Sequence, residues 1–276
     1  MYCNKAMLKI GVIGCGAIGT ELCMAVDRGL VNAVLVAIYD RNHENCKRLL
    51  HMLNNKPRIL SPEELISVAD VIVESASADA VHEFGLLALE SGKDLMIMSA
   101  GAFADQDVLD RFIEAARANK CRIYIPSGAI AGLDGLKSAS IAEIDKVILN
   151  TTKNPGGFKG APYIIENKID LEAFHTKTLL FEGNAREAIA AFPANVNVAV
   201  SLSLAGTGTE NTEVRVFVDP KAERNIHEIV IEGTFGKFTS RIENVPSPHN
   251  PRTSYLAALS AIATLKKITE PLQIGT

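Results

Sequence analysis

A glycine-rich turn near the start of the chain carries the clearest chemical signal, and six residues form it: Gly14, Cys15, Gly16, Ala17, Ile18 and Gly19. The first glycine of this spacing permits a tight bend, the second lets a pyrophosphate approach the backbone, and the third lets a helix pack closely on a strand. The N–H groups at the start of that helix add a partial positive charge. An apolar strand precedes the turn and an amphipathic helix follows it, so these residues are predicted to bind the phosphates of a dinucleotide.

An aspartate at the end of the next predicted strand indicates which dinucleotide is bound. Asp40 follows the turn by about 20 residues, where a carboxylate accepts hydrogen bonds from the adenosine ribose. That placement favours NAD. Arg41 comes directly after it and carries a charge that can pair with a 2′-phosphate, so NADP use stays open, as does a purely solvated role for Arg41. The predicted cofactor is therefore NAD or NADP.

Two further strand ends are predicted to face the cofactor, because ligands of open parallel sheets bind beyond the carboxyl ends of the strands. The segments are Glu74–Ser77 and Ser99–Ala102, and both are small and polar. Ser75 and Ala76 are the predicted cofactor contacts. Glu74 has two interpretations, as a ligand or as the cap of the helix that follows.

One of the six histidines stands in a patterned position. His227 lies at the head of a predicted strand, on the same alternating face as Ile229 and Ile231. On spacing alone, a structural histidine is the better interpretation. The sequence contains no zinc-binding spacing of histidine or cysteine and no nucleophile elbow, so no metal site is predicted.

The elements that position these residues follow a βαβ rhythm up to residue 126. Short apolar runs alternate with helical patterns, which is typical of a Rossmann-type parallel sheet. The predicted strands of this half are Lys9–Ile13, Val34–Tyr39, Asp70–Glu74, Asp94–Met98 and Arg122–Ile125.

After Pro126 the pattern changes to antiparallel strands and a final helix from about Arg252 to Lys267. Three segments alternate apolar and polar residues: Glu213–Asp219, His227–Glu232 and Lys237–Ile242. The predicted fold class is α/β, with an N-terminal Rossmann-type parallel sheet and a second α+β domain. We expect a dinucleotide-binding domain over 1–126 and a substrate-binding and dimerisation domain over 127–251, with 252–276 available to return to the first domain.

Composition limits the partners. The 276 residues carry a net charge of −4, which gives no electrostatic reason to expect nucleic acid or an anionic membrane. No apolar run reaches the length of a membrane span, and the first residues lack the apolar core of a signal peptide. The five cysteines show no disulfide framework. We therefore expect a cytoplasmic protein.

Several longer strings are more specific than the glycine turn: Val73–Ser77, Pro126–Asp134, Phe192–Ala199, Asn225–His227, Glu243–Pro248 and Asn250–Ser254. Together with the turn, and in this order, they resemble the L-aspartate dehydrogenase family from about Leu8 to the C-terminus. The resemblance implies a two-domain fold and a homodimer. It also implies NAD- or NADP-dependent oxidation of L-aspartate to iminoaspartate, which hydrolyses to oxaloacetate and ammonia or supplies NAD biosynthesis.

The same resemblance assigns residues in the second half. It implies that Ala129 and Asn195 contact the cofactor and that His227 is catalytic, which reverses the interpretation from spacing alone. The substrate carboxylates are placed at the small-residue turn Ser127–Gly132. The family's Lys-Pro-Pro string is only partly matched around Lys153, so no carboxylate-binding role is carried over to that residue.

Two other functions compete with this one. The first is a related two-domain dehydrogenase or reductase, of the homoserine-dehydrogenase or dihydrodipicolinate-reductase type, that acts on another small amino or hydroxy acid. The second is a non-catalytic NAD-binding sensor or scaffold. The presence of His227 argues against the second.

Overall fold

The computed structural model describes residues 7–193, 196–248 and 250–276. The chain divides into two compact units. The first contains the described residues up to Pro126 together with Ala257–Ile274, and the second contains Ser127–Leu256 and the last two residues. None of the described helices combines the length and the apolar character that crossing a membrane requires.

The first unit is built on a six-stranded parallel sheet of order β3-β2-β1-β4-β5-β6. Its strands are β1 (Leu8–Ile13), β2 (Ala33–Tyr39), β3 (Arg58–Ile59), β4 (Val71–Glu74), β5 (Asp94–Ile97) and β6 (Ile123–Tyr124). The strand order changes direction at β1, where β2 lies on one side and β4 on the other. In a sheet of this kind ligands bind at that switch point, beyond the carboxyl ends of the strands. The predicted Rossmann-type sheet is confirmed.

The helices between these strands begin at polar caps that the sequence supplies. They are α1 (Ala17–Asp27), α2 (His43–Met52), α3 (Pro62–Val68), α4 (Ala78–Glu90) and α5 (Gln106–Asn119). Ser61 and Glu64 form a reciprocal capping box at α3, and Ser77 and Asp105 cap α4 and α5. The start of α1, at Gly16, has no side-chain cap. Its free N–H groups therefore remain available to a ligand.

One apolar core holds this unit together. Ile10 and Val12 of β1 are fully buried in it. Ala261 and Leu265, from the helix that ends the chain, belong to the same core. Burying one such aliphatic side chain contributes roughly 1.5–3 kcal/mol. The position of β1, and with it the start of the glycine turn, is fixed by this packing.

The second unit contains a five-stranded mixed sheet of order β11-β10-β7-β9-β8, in which only β7 and β9 run parallel. Its strands are β7 (Ile144–Lys153), β8 (Thr178–Asn184), β9 (Thr212–Val218), β10 (Asn225–Gly233) and β11 (Gly236–Asn244). Four helices precede or separate them: α6 (Leu133–Ala139), α7 (Pro162–Glu166), α8 (Ala185–Ala191) and α9 (Val196–Ala205). The core of the unit includes Val214 and Val216 of β9 and Ile229 and Ile231 of β10. The predicted alternation of these strands is confirmed.

The last helix begins later than predicted. Asn250–Ser254 forms β13, which pairs with β12 (Pro246–Ser247), and α10 then runs over Tyr255–Thr269. The expected start at Arg252 is wrong because strand pairing holds that segment extended. The sequence also did not reveal β7, the central strand of the second sheet. Its residues 147–149 and 151–153 are all buried, so it shows no polar alternation.

Candidate active site

Packing alone requires two of the three glycines in the turn. Gly14 has a φ of +102°, and a Cβ there would lie 2.6 Å from the carbonyl carbon of Ser75. A Cβ at Gly19 would lie 2.0 Å from the carbonyl oxygen of Gly14. Atoms cannot approach this closely, so both positions must be glycine for β1, α1 and the segment after β4 to meet.

Gly16 is a different case. Its φ is −75°, an ordinary value, and no atom of the described residues lies within 4 Å of the position that a Cβ would take. The protein's own packing therefore leaves this position open, beside the uncapped first turn of α1 that holds Ala17 and Ile18. An open backbone next to free helix N–H groups fits the pyrophosphate of a dinucleotide.

Asp40 is oriented by three donors of the protein. Its Oδ2 accepts from the backbone N–H of Cys15 at 2.8 Å, and its Oδ1 accepts from the N–H of Asn42 at 2.8 Å and the side-chain amide of Asn45 at 3.2 Å. The carboxylate has about four acceptor positions, so capacity remains for one ribose hydroxyl. Cys15 thus contributes its backbone N–H to this arrangement. Its buried thiol lies 3.7 Å from that of Cys46, and burial raises its pKa.

A pocket of about 210 Å³ lies beyond Asp40 and is open to the outside. Gly14, Asp40, Ala76 and Phe84 are among its lining residues. Arg41 also lines the pocket and lies 3.8 Å from Glu83 across it, with both side chains largely exposed. The lining of the pocket therefore includes the carboxylate of Asp40 and the exposed guanidinium of Arg41, the two groups that the sequence predicts for an adenosine ribose and a 2′-phosphate.

The two strand-end segments are tied together by a buried carboxylate. Glu74 is only 2% exposed and accepts from the N–H of Ala76 at 2.7 Å and from both the N–H (3.0 Å) and the hydroxyl (2.8 Å) of Ser99. Burial raises its pKa. The interpretation of Glu74 as a helix cap is wrong, because Ser77 caps α4. Its interpretation as a ligand stays a prediction, for a carboxylate that is buried and already accepts three hydrogen bonds from the protein. Ser75 donates its hydroxyl to the carbonyl of Gly14 at 2.8 Å.

His227 lies in the second unit, on β10, directly opposite Thr151 of β7. The side chain is 4% exposed, and its Nδ1 is 3.0 Å from the hydroxyl of Thr151. Burial, reinforced by the charge of Lys153, lowers the pKa of the imidazole to about 4. A histidine in water titrates near neutrality, whereas tertiary packing removes this ring from water and favours its neutral form.

Lys153 is a residue whose role the sequence did not reveal. It is two residues along β7 from Thr151, so it shares the face of His227, and it is 8% exposed. Burial lowers the pKa of its ammonium group. Within residues 7–193, 196–248 and 250–276, its Nζ has no hydrogen bond or ion pair. The partly matched Lys-Pro-Pro string and a lysine at the end of the apolar run that begins at Val147 were the available signals.

Ala129 and Asn195 are the remaining predicted cofactor contacts. The carbonyl of Ala129 accepts from the side-chain amide of Asn244 at 3.0 Å, and Asn244 is itself buried and bonded to the hydroxyl of Ser254. This hydrogen bond from Asn244 of β11 thus holds the Ser127–Gly132 segment at Ala129. Asn195 lies outside the described residues. Among the residues that the structure does describe, no cluster of three or more histidine, cysteine or acidic side chains could hold a metal ion.

The parallel sheet, the open glycine turn and the acidic strand end define the protein as an NAD(P)-binding oxidoreductase of the Rossmann class. A family model described as the homoserine dehydrogenase NAD-binding domain matches residues 14–126. A second, described as the aspartate dehydrogenase C-terminal domain, matches residues 134–268. The second match does not favour the homoserine-type alternative.

Full-length relatives identify the family. The chain is 55% identical to the L-aspartate dehydrogenase of Methanococcoides burtonii over 98% of its own length and all of the relative's. It is 53% identical, with the same coverage, to that of Methanosarcina acetivorans. The crystal structure of aspartate dehydrogenase from Thermotoga maritima matches with a TM-score of 0.76 at 29% identity, over 97% of this chain and 99% of that one. The chain belongs to the L-aspartate dehydrogenase family.

Proposed function

We propose that the chain oxidises L-aspartate to iminoaspartate with NAD or NADP, and that His227 is the base and Lys153 the carboxylate-binding group. The observation that carries the assignment of residues is a buried histidine, His227, on the same sheet face as a buried lysine, Lys153, whose Nζ has no hydrogen bond or ion pair among the described residues. Family membership supplies the substrate and the reaction.

The residues of the first unit hold the cofactor. Gly16 and the start of α1 bind the pyrophosphate, and Asp40 binds the adenosine ribose. The segment containing Ser75 and Ala76 borders the rest of the dinucleotide, with Ala129 and Asn195 as further contacts. When bound, the nicotinamide accepts a hydride from the α-carbon of the substrate.

His227 prepares the substrate for that transfer. L-aspartate carries an ammonium group at neutral pH, and the imine cannot form until the nitrogen loses a proton. An imidazole whose pKa is about 4 is in its neutral form at neutral pH, so its lone pair can accept that proton. The same group can return a proton in the reverse direction or activate the water that hydrolyses the imine.

Lys153 binds a carboxylate of the substrate, and this binding raises the pKa of His227. A buried charge is normally paired, and an incoming carboxylate supplies the missing partner. The charge of Lys153 contributes to the low pKa of His227, so a bound carboxylate that neutralises this charge makes the imidazole a stronger base. The base is therefore strengthened when the substrate is in place.

The biological setting belongs to the same proposal. We infer a homodimer in the cytoplasm whose product supplies oxaloacetate and ammonia or NAD biosynthesis, with no nucleic acid partner. The net charge of −4 and the free thiols of Cys15, Cys23, Cys46 and Cys121 support a reducing compartment and a small-molecule substrate. Light scattering on the purified protein tests the dimer.

A substrate panel tests the activity. Formation of reduced nicotinamide is followed with NAD and with NADP for L-aspartate, D-aspartate, L-glutamate and L-homoserine. We expect turnover with L-aspartate and release of oxaloacetate and ammonia. Turnover restricted to L-homoserine, or cofactor binding without turnover of any amino acid, would contradict the proposal.

A further inference from the structure

The hydroxyl of Thr151 is the only hydrogen-bond partner of the His227 ring among the described residues. The β7–β10 register places the two residues opposite each other, and 3.0 Å separates Oγ1 from Nδ1. Thr151 is 1% exposed, so water does not compete for this contact. We propose that Thr151 is a positioning residue, which keeps the proton of neutral His227 on Nδ1 and leaves Nε2 to take the proton of the substrate.

The Thr151 contact matches the tautomer that a base at Nε2 requires. A neutral imidazole has one N–H and one lone pair, whereas a threonine hydroxyl can accept or donate. In the described part of the chain Nε2 has no protein partner, so it is the ring nitrogen left open to the substrate. For Nε2 to carry the lone pair that takes the substrate proton, the ring proton must lie on Nδ1, where the hydroxyl of Thr151 can accept it.

The hydroxyl also acts on the charged form of the ring. Once His227 has taken a proton, Nδ1–H still donates to Thr151, and the bond becomes charge-assisted. Lys153 of β7 is the one charged group whose field shifts the pKa of this ring, and the residue opposite on β11, Ile242, is apolar. A neutral hydroxyl thus orients the ring without the rise in pKa that a carboxylate partner would cause. This inference rests on the proposed role of His227.

Three variants of the full-length protein test the role of Thr151. Thr151→Val keeps the shape of the side chain and removes the hydroxyl, while Thr151→Ser keeps the hydroxyl. Thr152→Val is the matched control, since Thr152 is the next residue of β7, equally buried and on the opposite face. We expect Thr151→Val to lower kcat about 10- to 100-fold, the usual value of a hydrogen bond to a charged group. KM and NAD affinity should stay within about twofold.

The Thr151→Ser variant and the pH profile distinguish a positioning role of Thr151 from a merely structural one. Thr151→Ser should regain most of kcat, and Thr152→Val should resemble the parent. The acid limb of kcat/KM should move to lower pH in Thr151→Val, because the imidazolium loses its acceptor. An equal loss of kcat in the Val and Ser variants, or a Thr152→Val loss as large as that of Thr151→Val, would overturn the proposal.

Nitrogen-15 NMR of the parent protein reports the tautomer directly, even if Thr151→Val does not fold. The resonances of His227 are identified by their absence in His227→Asn. We expect a protonated Nδ1 at neutral pH, and a protonated Nε2 would overturn the proposal. Full activity of His227→Asn would instead refute the proposed base. Loss of activity in His227→Asn with a normal kcat and pH profile in Thr151→Val would refute only the role of Thr151.

Discussion

Gly16 differs from the two other glycines of its turn in what a side chain would meet. At Gly14 and Gly19 a Cβ collides with backbone, whereas at Gly16 it enters open space. The sequence motif cannot make this distinction, because all three positions carry the same residue. Packing within the described residues requires the first and third glycines and places no such requirement on Gly16.

Gly16→Val should therefore lose the cofactor and keep the fold. We expect the Kd for NAD to rise about 100-fold or more, since the valine occupies the approach of the pyrophosphate. The free energy of unfolding should change by less than about 1 kcal/mol. Calorimetric titration and urea denaturation measure the two quantities.

Two further variants complete that experiment. Gly156→Val alters an exposed glycine with an ordinary contact of 3.4 Å and should bind NAD normally. Gly19→Ala should unfold at a much lower urea concentration, because of the collision with the carbonyl of Gly14. Normal NAD binding by Gly16→Val would show that the glycine turn does not bind the cofactor.

Lys153 is the residue whose replacement should affect the substrate and leave the cofactor unaffected. Removing one partner of a buried charge pair costs roughly 2–5 kcal/mol, so Lys153→Met should raise KM for L-aspartate about 30-fold or more. The acid limb of kcat/KM should move to higher pH, because loss of the neighbouring charge raises the pKa of His227 above about 4. Steady-state kinetics across pH measure both effects.

The exposed Lys159 provides the control for this variant. Lys159→Met also removes one positive charge, at an exposed position shortly after β7, and should leave the KM for L-aspartate and the pH profile unchanged. If Lys153→Met has the parental KM and acid limb, the carboxylate binds elsewhere, and the Ser127–Gly132 segment becomes the remaining candidate.

At the scale of elements, the side chain of Glu74 ties together the two segments that follow β4 and β5, Glu74–Ser77 and Ser99–Ala102. Glu74 accepts three hydrogen bonds from the chain after these strands. In Glu74→Gln, an amide N–H₂ must face a backbone or hydroxyl donor, so at least one bond is lost. We expect a loss of about 1–3 kcal/mol in the free energy of unfolding and weaker NAD binding. Denaturation and titration measure these changes.

Glu90, exposed at the end of α4, is the matched control for Glu74. Glu90→Gln makes the same chemical change outside the hydrogen-bonded segments and should resemble the parent in stability and in NAD affinity. Parental NAD affinity in Glu74→Gln, together with reduced stability, would show that the carboxylate holds the fold without positioning the cofactor.

The elements also show what the sequence could predict. The glycine turn and the alternation of β9 and β10 are local patterns, and both were predicted correctly. Strand β7 was missed because a central strand buried on both faces has no alternation. Lys153 and Thr151 belong to that strand, so their position beside His227 depended on a strand pairing that no local pattern reveals. The low pKa of His227 depends on the same packing, which no local pattern reveals.

For the molecule as a whole, burial shifts the pKa of a carboxyl group, an imidazole and an ammonium group of the described residues, besides those of the buried thiols. Glu74 lies in the first unit, and His227 and Lys153 lie in the second. Burial raises the pKa of Glu74 and lowers the pKa of His227 and of Lys153, so in each case burial disfavours the charged form. A comparison of variants is needed to isolate one group from the others.

His227 should make the protein less stable in mild acid. Its pKa is about 4 in the folded chain and 6.5 for an unperturbed histidine, so between these values the unfolded chain binds more protons. Stability is then fully present above about pH 6.5 and is lost as the pH falls towards about 4. The shift corresponds to about 3 kcal/mol at most.

His227→Gln removes this titration while every other ionisable group stays in place, including Glu74, whose shift has the opposite sign. Between pH 6.5 and pH 4, we expect the free energy of unfolding of the parent to fall by up to about 3 kcal/mol more than that of the variant. Urea denaturation across this range, with NAD absent, measures the two curves. Parallel curves would mean that the imidazole keeps an ordinary pKa in the folded protein, and that burial does not hold it neutral for catalysis.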